Sequence, residues 1–176
     1  FLSLNHQRKC IFIHIIKTGG TSIERALGMK KTHQRASYYR KMVGINKWNN
    51  YFKFSFVRNP WDKMVSQFHY NGHLFAKNKT FEEYIRMWDN GHKISTFPPF
   101  NSYYLDLDLD FIGKFENLQG DFDVVCEKIG IPQKRLPHMN KSKHRRYTEY
   151  YSPETIEIVG RKFGEDIRRL GYKFGD

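Results

Sequence analysis

Two short segments carry the residue types that bind phosphate-like anions. Residues 17–22 read KTGGTS, in which one lysine and three hydroxyl side chains surround a pair of glycines. Glycines let the backbone approach an anion closely, and hydroxyl and ammonium groups donate hydrogen bonds to it. Further along, Arg58 and Ser66 can contact a second anion, the arginine through a bidentate pair of hydrogen bonds. These residues predict a ligand that carries two phosphate-type groups.

The elements around the first segment support an anion site. Residues 10–16 (CIFIHII) form a nearly continuous apolar run, which predicts a strand buried on both faces, and residues 23–27 begin a helix. The start of a helix offers backbone N–H groups and a partial positive charge. Lys17 precedes the glycines, so the Walker spacing GxxxxGK[ST] is absent. A simple glycine turn capped by threonine and serine is the alternative interpretation.

The second segment follows another predicted strand, residues 51–57 (YFKFSFV). Pro60 suits the first turn of a helix that we expect to run to about residue 70. Arg58 is therefore expected at the same sheet edge as the first segment, with Ser66 two turns into the helix. The alternative is that Arg58 pairs with Asp62 and that Ser66 faces solvent.

In the rest of the chain, segments with the apolar spacing of a helix alternate with segments that have the pattern of a strand. The predicted elements are a helix capped by Thr80 with Glu83, a strand over 107–115, a helix over 117–129 ended by 130–132, a surface loop over 136–146, and an amphipathic helix from Ser152 to Leu170. Strands separated by helices favour an α/β sandwich with a largely parallel sheet. The length of 176 residues suits a single domain over 1–176.

The net charge of the chain favours anionic binding partners but does not distinguish between the classes of such partners. The 30 Lys and Arg residues outnumber the 18 Asp and Glu residues, and the net charge of +12 favours an anionic nucleotide, an acidic glycan or nucleic acid. We find no apolar run of about eighteen residues, which predicts no membrane span. Cys10 and Cys126 show no metal-binding spacing, so we expect buried free thiols and no metal site.

Read together, the two segments resemble the paired signatures of the carbohydrate sulfotransferases that use 3′-phosphoadenosine 5′-phosphosulfate (PAPS), the Golgi-type glycan enzymes and their small bacterial relatives. The resemblance is carried by FIHIIKTGGTS and FVRNPWDKMVS, and continues in FIGKFENLQGDF, LPHMNKS and the closing YYSPETIEIVGRKFGEDIRRLGYKF. It departs at Ile16, where the family usually has proline before the lysine. We expect little functional loss from that change.

The resemblance implies a three-layer, P-loop-NTPase-like sandwich that binds PAPS as co-substrate and releases adenosine 3′,5′-bisphosphate (PAP) without a metal. It implies that Lys17 contacts the 5′-phosphate and the leaving oxygen. The other implied donor contacts are Thr18, Gly19, Gly20, Thr21 and Ser22 for the 5′-phosphate, Arg58 and Ser66 for the 3′-phosphate, and the late segment with Lys141 and Ser142. An acceptor hydroxyl would take the sulfuryl group. By the resemblance it is on a carbohydrate, with a lipid, a small metabolite or a tyrosine as the alternatives.

His33 is our candidate for the general base that removes the acceptor proton. It follows the first helix, where related sequences also tend to carry a histidine, and an ordinary imidazole titrates near neutrality. A surface histidine is an equally weighted interpretation. His14 is interpreted as a core group or as a group that supports the site from behind, and His69 and His73 are weaker rivals for the base.

Two other function classes remain as alternatives. An ATP-dependent small-molecule kinase on a similar fold would need magnesium, and the missing Walker spacing argues against it. A non-catalytic nucleic-acid-binding domain would explain the charge but would leave both motifs without a purpose, so no nucleic-acid partner is expected. We expect a cytoplasmic, bacterial-type soluble enzyme, and a Golgi enzyme only if a membrane anchor has been removed.

Overall fold

The computed structural model describes residues 3–137 and 145–176. The described residues form two compact units. The first unit comprises residues 3–57 and 101–137, and the second comprises residues 58–100 and 145–176. The prediction of one domain over 1–176 stays a prediction.

A four-stranded sheet organises the first unit. Its strands, in spatial as well as chain order, are β1 (Leu4–Asn5), β2 (Cys10–Ile13), β3 (Phe52–Val57) and β4 (Phe111–Lys114). The β1 strand pairs antiparallel with β2, whereas β2 with β3 and β3 with β4 are parallel. The predicted α/β fold with a mostly parallel sheet is confirmed.

The apolar runs explain why β2 and β3 lie inside the sheet. Every residue of β2 is fully buried, and β3 is buried from its second residue to its last. Strands that are covered on both faces need continuous apolar or small side chains. Cys10 and Cys126 belong to this core as free, buried thiols, as the sequence predicted.

Helices complete both units. In the first unit they are α1 (Gly20–Leu27), α2 (Ala36–Val43), α3 (Ile45–Asn50), α6 (Asn101–Tyr104) and α7 (Leu118–Lys128). In the second they are α4 (Pro60–Phe75), α5 (Phe81–Asp89), α8 (Pro153–Lys162) and α9 (Gly164–Leu170). Short 3-10 turns cover Phe115–Asn117 and Tyr147–Tyr150.

Aromatic and aliphatic side chains of α4, α5 and α8 form the core of the second unit. The predicted capping box is present, since Thr80 accepts from the backbone N–H of Glu83 and the Glu83 carboxylate accepts from that of Thr80. The prediction of one continuous final helix is wrong, because the chain turns at Phe163 between α8 and α9. Gly164 follows that break, and glycine is a poor helix residue.

The predicted strand over 107–115 is also shorter than expected, because only Phe111–Lys114 is extended and paired. The acidic residues before it bind other backbone segments instead. The Asp106 carboxylate accepts from the N–H of Ser37 at 2.9 Å, and the Asp110 carboxylate accepts from the N–H of Lys53 at 2.7 Å. Both contacts reach backbone more than fifty residues away in the chain, so the alternating pattern of residues 107–115 does not reveal them.

None of the helices in the described ranges is both long enough and apolar enough to cross a membrane.

Candidate functional site

The loop between β2 and α1 has a specific backbone shape. Lys17 lies in the left-handed region with φ 63°, which is uncommon for a residue other than glycine. Gly19 is also left-handed, with φ 80° and ψ 3°, and the helix begins at the next residue. A left-handed residue followed by a helical one turns successive N–H groups toward the same side, an arrangement that binds anions.

Packing explains why the loop needs both glycines. A Cβ on Gly19 would approach Cδ2 of Leu118 to 2.7 Å, and a Cβ on Gly20 would overlap the ring of His14. Leu118 and His14 therefore hold the glycine backbone from outside the loop. These contacts are a physical reason, beyond the left-handed conformation, for small residues at both positions.

The hydroxyl residues of the loop have different environments. Thr18 is fully buried, and its hydroxyl donates to the carbonyl oxygen of Ile15 at 2.9 Å. The Thr18 hydroxyl thus stabilises the loop, and the backbone N–H of Thr18 is the group that can donate to an anion. Ser22 is buried as well and donates its backbone N–H to the carbonyl of Gly19, whereas Thr21 is half-buried.

The start of α1 keeps its positive character. Gly19 supplies no side-chain cap, and the first turn of this fully described helix contains no acidic residue. The partial charge of the helix end is therefore not neutralised by its own first turn. Together with the Lys17 ammonium, it favours an anion at this loop.

The second motif begins where β3 ends. Asn59 caps α4, since its side chain accepts from the N–H of Trp61 at 3.0 Å, and Pro60 occupies the first turn as predicted. The Asn59 side chain also donates to the carbonyl of Lys173 at 2.9 Å. The turn that carries Arg58 is thus held by both α4 and the C-terminal segment.

Arg58 is buried, and its Nε donates to the Asp62 carboxylate at 2.7 Å. The alternative pairing considered from the sequence is therefore present. An ion pair within one helical turn also orients the guanidinium plane, so the pair is compatible with binding an anion. Ser66 is buried, which shows that the solvent-facing alternative is wrong.

Lys63 is a buried charge that the sequence did not single out. Its side chain is fully buried, and burial lowers its pKa to about 7, while Asp166 opposes that shift and Arg58 adds to it. Asp166 lies on α9 and is buried too. A lysine between Asp62 and Met64 gives little signal in a sequence, because Asp166, whose charge opposes the shift, lies about a hundred positions away.

His33 lies in the first unit, beside His14. Their ring centroids are 4.3 Å apart, and Nδ1 of His33 lies 3.2 Å from the carbonyl oxygen of His14. That contact places a proton on Nδ1 and leaves the basic lone pair on Nε2. Burial, and after it the charge of His14, lower the pKa of His33 to about 4, so the ring is neutral at pH 7 but a weaker base than a free imidazole.

His14 is buried, as predicted, and joins the loop to His33. Its ring contacts Gly20 on one side and His33 on the other, and its Nδ1 lies 2.8 Å from the Glu24 carboxylate. Glu24 was not among the residues predicted from the sequence. Its position four residues after Gly20 on α1 was a signal, since an acid on the buried face of a helix needs a partner.

The other residues predicted for the site are His69, His73, Lys141 and Ser142. The ring Nε2 of His69 lies 2.9 Å from the hydroxyl of Tyr150 within the second unit. Lys141 and Ser142 lie outside the described residues, as does the side chain of His73.

Among residues 3–137 and 145–176 no group of His, Cys, Asp or Glu has the geometry of a metal site. That Arg58 faces the same nucleotide as residues 17–22 stays a prediction.

Comparison with known proteins gives three similarities. An uncharacterized protein of Archaeoglobus fulgidus is 33% identical over 112 residues, which cover 61% of this chain and 92% of that protein. Carbohydrate sulfotransferase 14 of Danio rerio is 28% identical over 144 residues, covering 62% of this chain and 36% of that protein. The crystal structure of a sulfotransferase from Alicyclobacillus acidocaldarius shares a TM-score of 0.45 and 17% identity, over 71% of this chain and 55% of that one.

The chain thus spans just over a third of the length of the Danio rerio protein. The sequence model of the sulfotransferase family matches residues 2–173. That match includes residues 17–22, Arg58 and Ser66, and the downstream segments on which the resemblance was based. The chain belongs to the sulfotransferase family.

Proposed function

We propose that this protein transfers the sulfuryl group of PAPS to an acceptor hydroxyl. The observation that carries the proposal is the loop over 17–22, whose two glycines open α1 with an uncapped, positively charged helix end. Membership in the sulfotransferase family supports the reaction type. The donor and the acceptor are part of the proposal.

The loop suits the 5′-phosphosulfate end of the donor. Its glycine backbone leaves space that a Cβ would fill, and its N–H groups and the Lys17 ammonium complement a doubly charged group. Arg58 and Ser66 are assigned to the 3′-phosphate, with Asp62 orienting the guanidinium. Lys141 and Ser142 are proposed to contact the same nucleotide.

The chemistry assigned to these residues is positioning and charge stabilisation. The acceptor oxygen forms a bond to sulfur while the bond from sulfur to the 5′-phosphate oxygen breaks, and the electron pair remains on that oxygen. Lys17 stabilises the negative charge that develops there. Nε2 of His33 takes the acceptor proton, since Nδ1 donates to the His14 carbonyl. Neither step requires a metal ion.

We propose a carbohydrate hydroxyl as the acceptor. The net charge of +12 suits an acidic glycan, and one relative is named as a carbohydrate sulfotransferase. A panel of an unsulfated polysaccharide, a tyrosine peptide and a simple alcohol, each incubated with radiolabelled PAPS, tests this choice. Label on the polysaccharide alone is the expected result, and label on the peptide alone would contradict it.

Calorimetric titration tests the donor. We expect PAP to bind at least tenfold more tightly than ATP, with the same affinity in magnesium and in a chelator. Tighter binding of ATP that depends on magnesium would favour a kinase instead. Binding of neither nucleotide, with salt-dependent binding of DNA or RNA, would favour a nucleic-acid-binding domain.

A further inference from the structure

Glu24 joins three separate segments of the first unit. Its Oε1 accepts from the Ser3 hydroxyl at 2.9 Å and from the backbone N–H of Thr32 at 3.3 Å, and lies 2.8 Å from Nδ1 of His14. The residue itself belongs to α1, the helix that begins at the anion-binding loop. One carboxylate thus connects that helix, the end of β2 and the segment that carries His33.

The carboxylate is buried, with a relative exposure of 3%. A buried carboxylate is costly unless charges and hydrogen bonds compensate it. Within the described parts of the chain, Oε2 of Glu24 has no hydrogen-bond partner, and the His14 ring lies at ion-pair distance without the alignment of a hydrogen bond. Such a costly arrangement calls for an explanation beyond the stability of the fold.

His33 is located by the same group of contacts. The residue before it, Thr32, donates its N–H to Glu24, and the His33 ring rests on the backbone and ring of His14. The His14 ring also supports Gly20, the first residue of α1. His14 thus contacts both the His33 ring and Gly20, whereas the contacts of Glu24 are to Ser3, His14 and Thr32, which lie outside residues 17–22.

We propose that Glu24 is a positioning residue that, with His14, holds the His33 ring in a fixed place relative to the 17–22 loop. The assignment deepens the proposed function, because it rests on His33 acting as the base. Glu24 would act through His33 and His14 and would not contact the substrates. The role predicts that loss of Glu24 affects turnover more than nucleotide binding.

Other titratable groups also face this cluster. Lys31 lowers the pKa of His33, whereas the charge of Glu24 raises it. The Tyr39 hydroxyl lies 2.6 Å from that of Thr32, and burial raises its pKa. Any titration of His33 therefore reflects His14 and Lys31 as well as Glu24, so the test compares variants that leave His14 and Lys31 unchanged.

The first test is a double-mutant cycle. We measure turnover of PAPS with the acceptor found above, and PAP affinity by calorimetry, in Glu24→Ala, His33→Ala and the double variant. We expect Glu24→Ala to lower kcat at least tenfold and to change the Kd for PAP less than threefold. In the His33→Ala background the same change should lower kcat less than twofold, since a residue that acts through His33 adds no further loss. Fully additive losses would overturn the proposal.

The second test does not depend on activity. The His33 ring signals, identified by their loss in His33→Gln, are followed by NMR as the ligand-free protein is titrated. In Glu24→Ala we expect the midpoint to move upward toward that of a free imidazole. Release of the ring from its buried site removes the largest cause of the lowered pKa, and this effect outweighs the loss of the Glu24 charge, which alone would lower the midpoint. An unchanged midpoint in a well-dispersed spectrum would overturn the proposal. The control is Glu127→Ala, which removes an exposed glutamate of α7 and should leave the midpoint unchanged.

If Glu24→Ala does not fold, Glu24→Gln answers the same question. Glutamine keeps the length of the side chain and an oxygen for Ser3 and Thr32, but it removes the charge opposite His14. Because that charge raises the pKa of His33, the midpoint should fall. A midpoint equal to the wild-type value would overturn the assignment. If wild-type protein transfers no sulfuryl group, the proposed function fails, while the titrations still decide the role of Glu24.

Discussion

The imidazole of His14 lies so close to Gly20 that any Cβ at residue 20 would overlap Nε2 and Cδ2 of the ring. The backbone of the loop over residues 17–22 is thus held by a buried side chain that follows β2. This contact makes the shape of the loop sensitive to a single methyl group.

Gly20→Ala should therefore weaken PAP binding at least tenfold and lower the free energy of unfolding by about 1–3 kcal/mol, the usual effect of overpacking. Calorimetry and urea denaturation measure the two effects. Adding His14→Ala should recover part of the stability, because it makes room for the methyl group. The control is Gly160→Ala, whose Cβ would lie 3.4 Å from Trp61 and should leave PAP binding unchanged. Wild-type affinity in Gly20→Ala would contradict the assigned role of the loop.

Arg58→Lys should weaken PAP binding at least tenfold, because lysine cannot make the bidentate contact of a guanidinium. Adenosine 5′-monophosphate, which lacks the 3′-phosphate, should bind the variant and the wild type equally well. The comparison of the two ligands by calorimetry assigns the loss to one phosphate. Equal losses for both ligands would show that Arg58 does not bind the 3′-phosphate. Arg86→Lys, an exposed pair with Glu154 in the same unit, is the control.

His33 should make folding depend on pH in a defined window. Its pKa in the folded chain, about 4, lies below the ordinary value of 6.5, so the folded state disfavours the charged ring. The resulting loss of stability is complete below pH 4 and disappears as pH rises to 6.5. Relative to wild type, His33→Gln should be more stable at pH 4.5 than at pH 7, by on the order of 1 kcal/mol after allowance for solvent screening. Urea denaturation at the two pH values measures this, with His92→Gln as an exposed control.

Lys63 should also make the free energy of unfolding depend on pH, in a higher pH range than His33. Its pKa of about 7 in the folded chain lies below the ordinary value of 10.5, so the folded state loses this proton first. The free energy of unfolding should therefore rise between pH 7 and 9, by on the order of 2 kcal/mol more in wild type than in Lys63→Met. Measurements stay below pH 9.5, since burial raises the pKa of Tyr84 and exposure of such tyrosines acts in the opposite direction.

A wild type and a Lys63→Met variant with parallel pH profiles would show that Lys63 keeps its proton in the folded protein. Lys79→Met is the matched control, because Lys79 is an exposed lysine that pairs with Glu83 on the surface. Its profile should follow that of wild type.

Local sequence patterns were sufficient to predict those elements whose determining residues all lie within one short segment. The apolar runs predicted β2 and β3, Thr80 and Glu83 predicted the start of α5, and the glycine pair predicted a loop between a strand and a helix. These features depend on interactions between neighbouring residues, so they can be recognised from a short stretch of sequence. The acidic repeat before β4 misled the prediction because its aspartates bind backbone groups far along the chain.

From its sequence alone the chain could be assigned an α/β fold and a place among the sulfotransferases, and the glycine loop predicted to bind phosphate could be located. Tertiary structure was needed to find Glu24 beside His14, the ring of His14 against Gly20, and the buried Lys63 near Asp166. Those contacts join residues that are far apart in the chain or on different elements. Burial sets the cost of their charges, and burial is a property of the folded molecule.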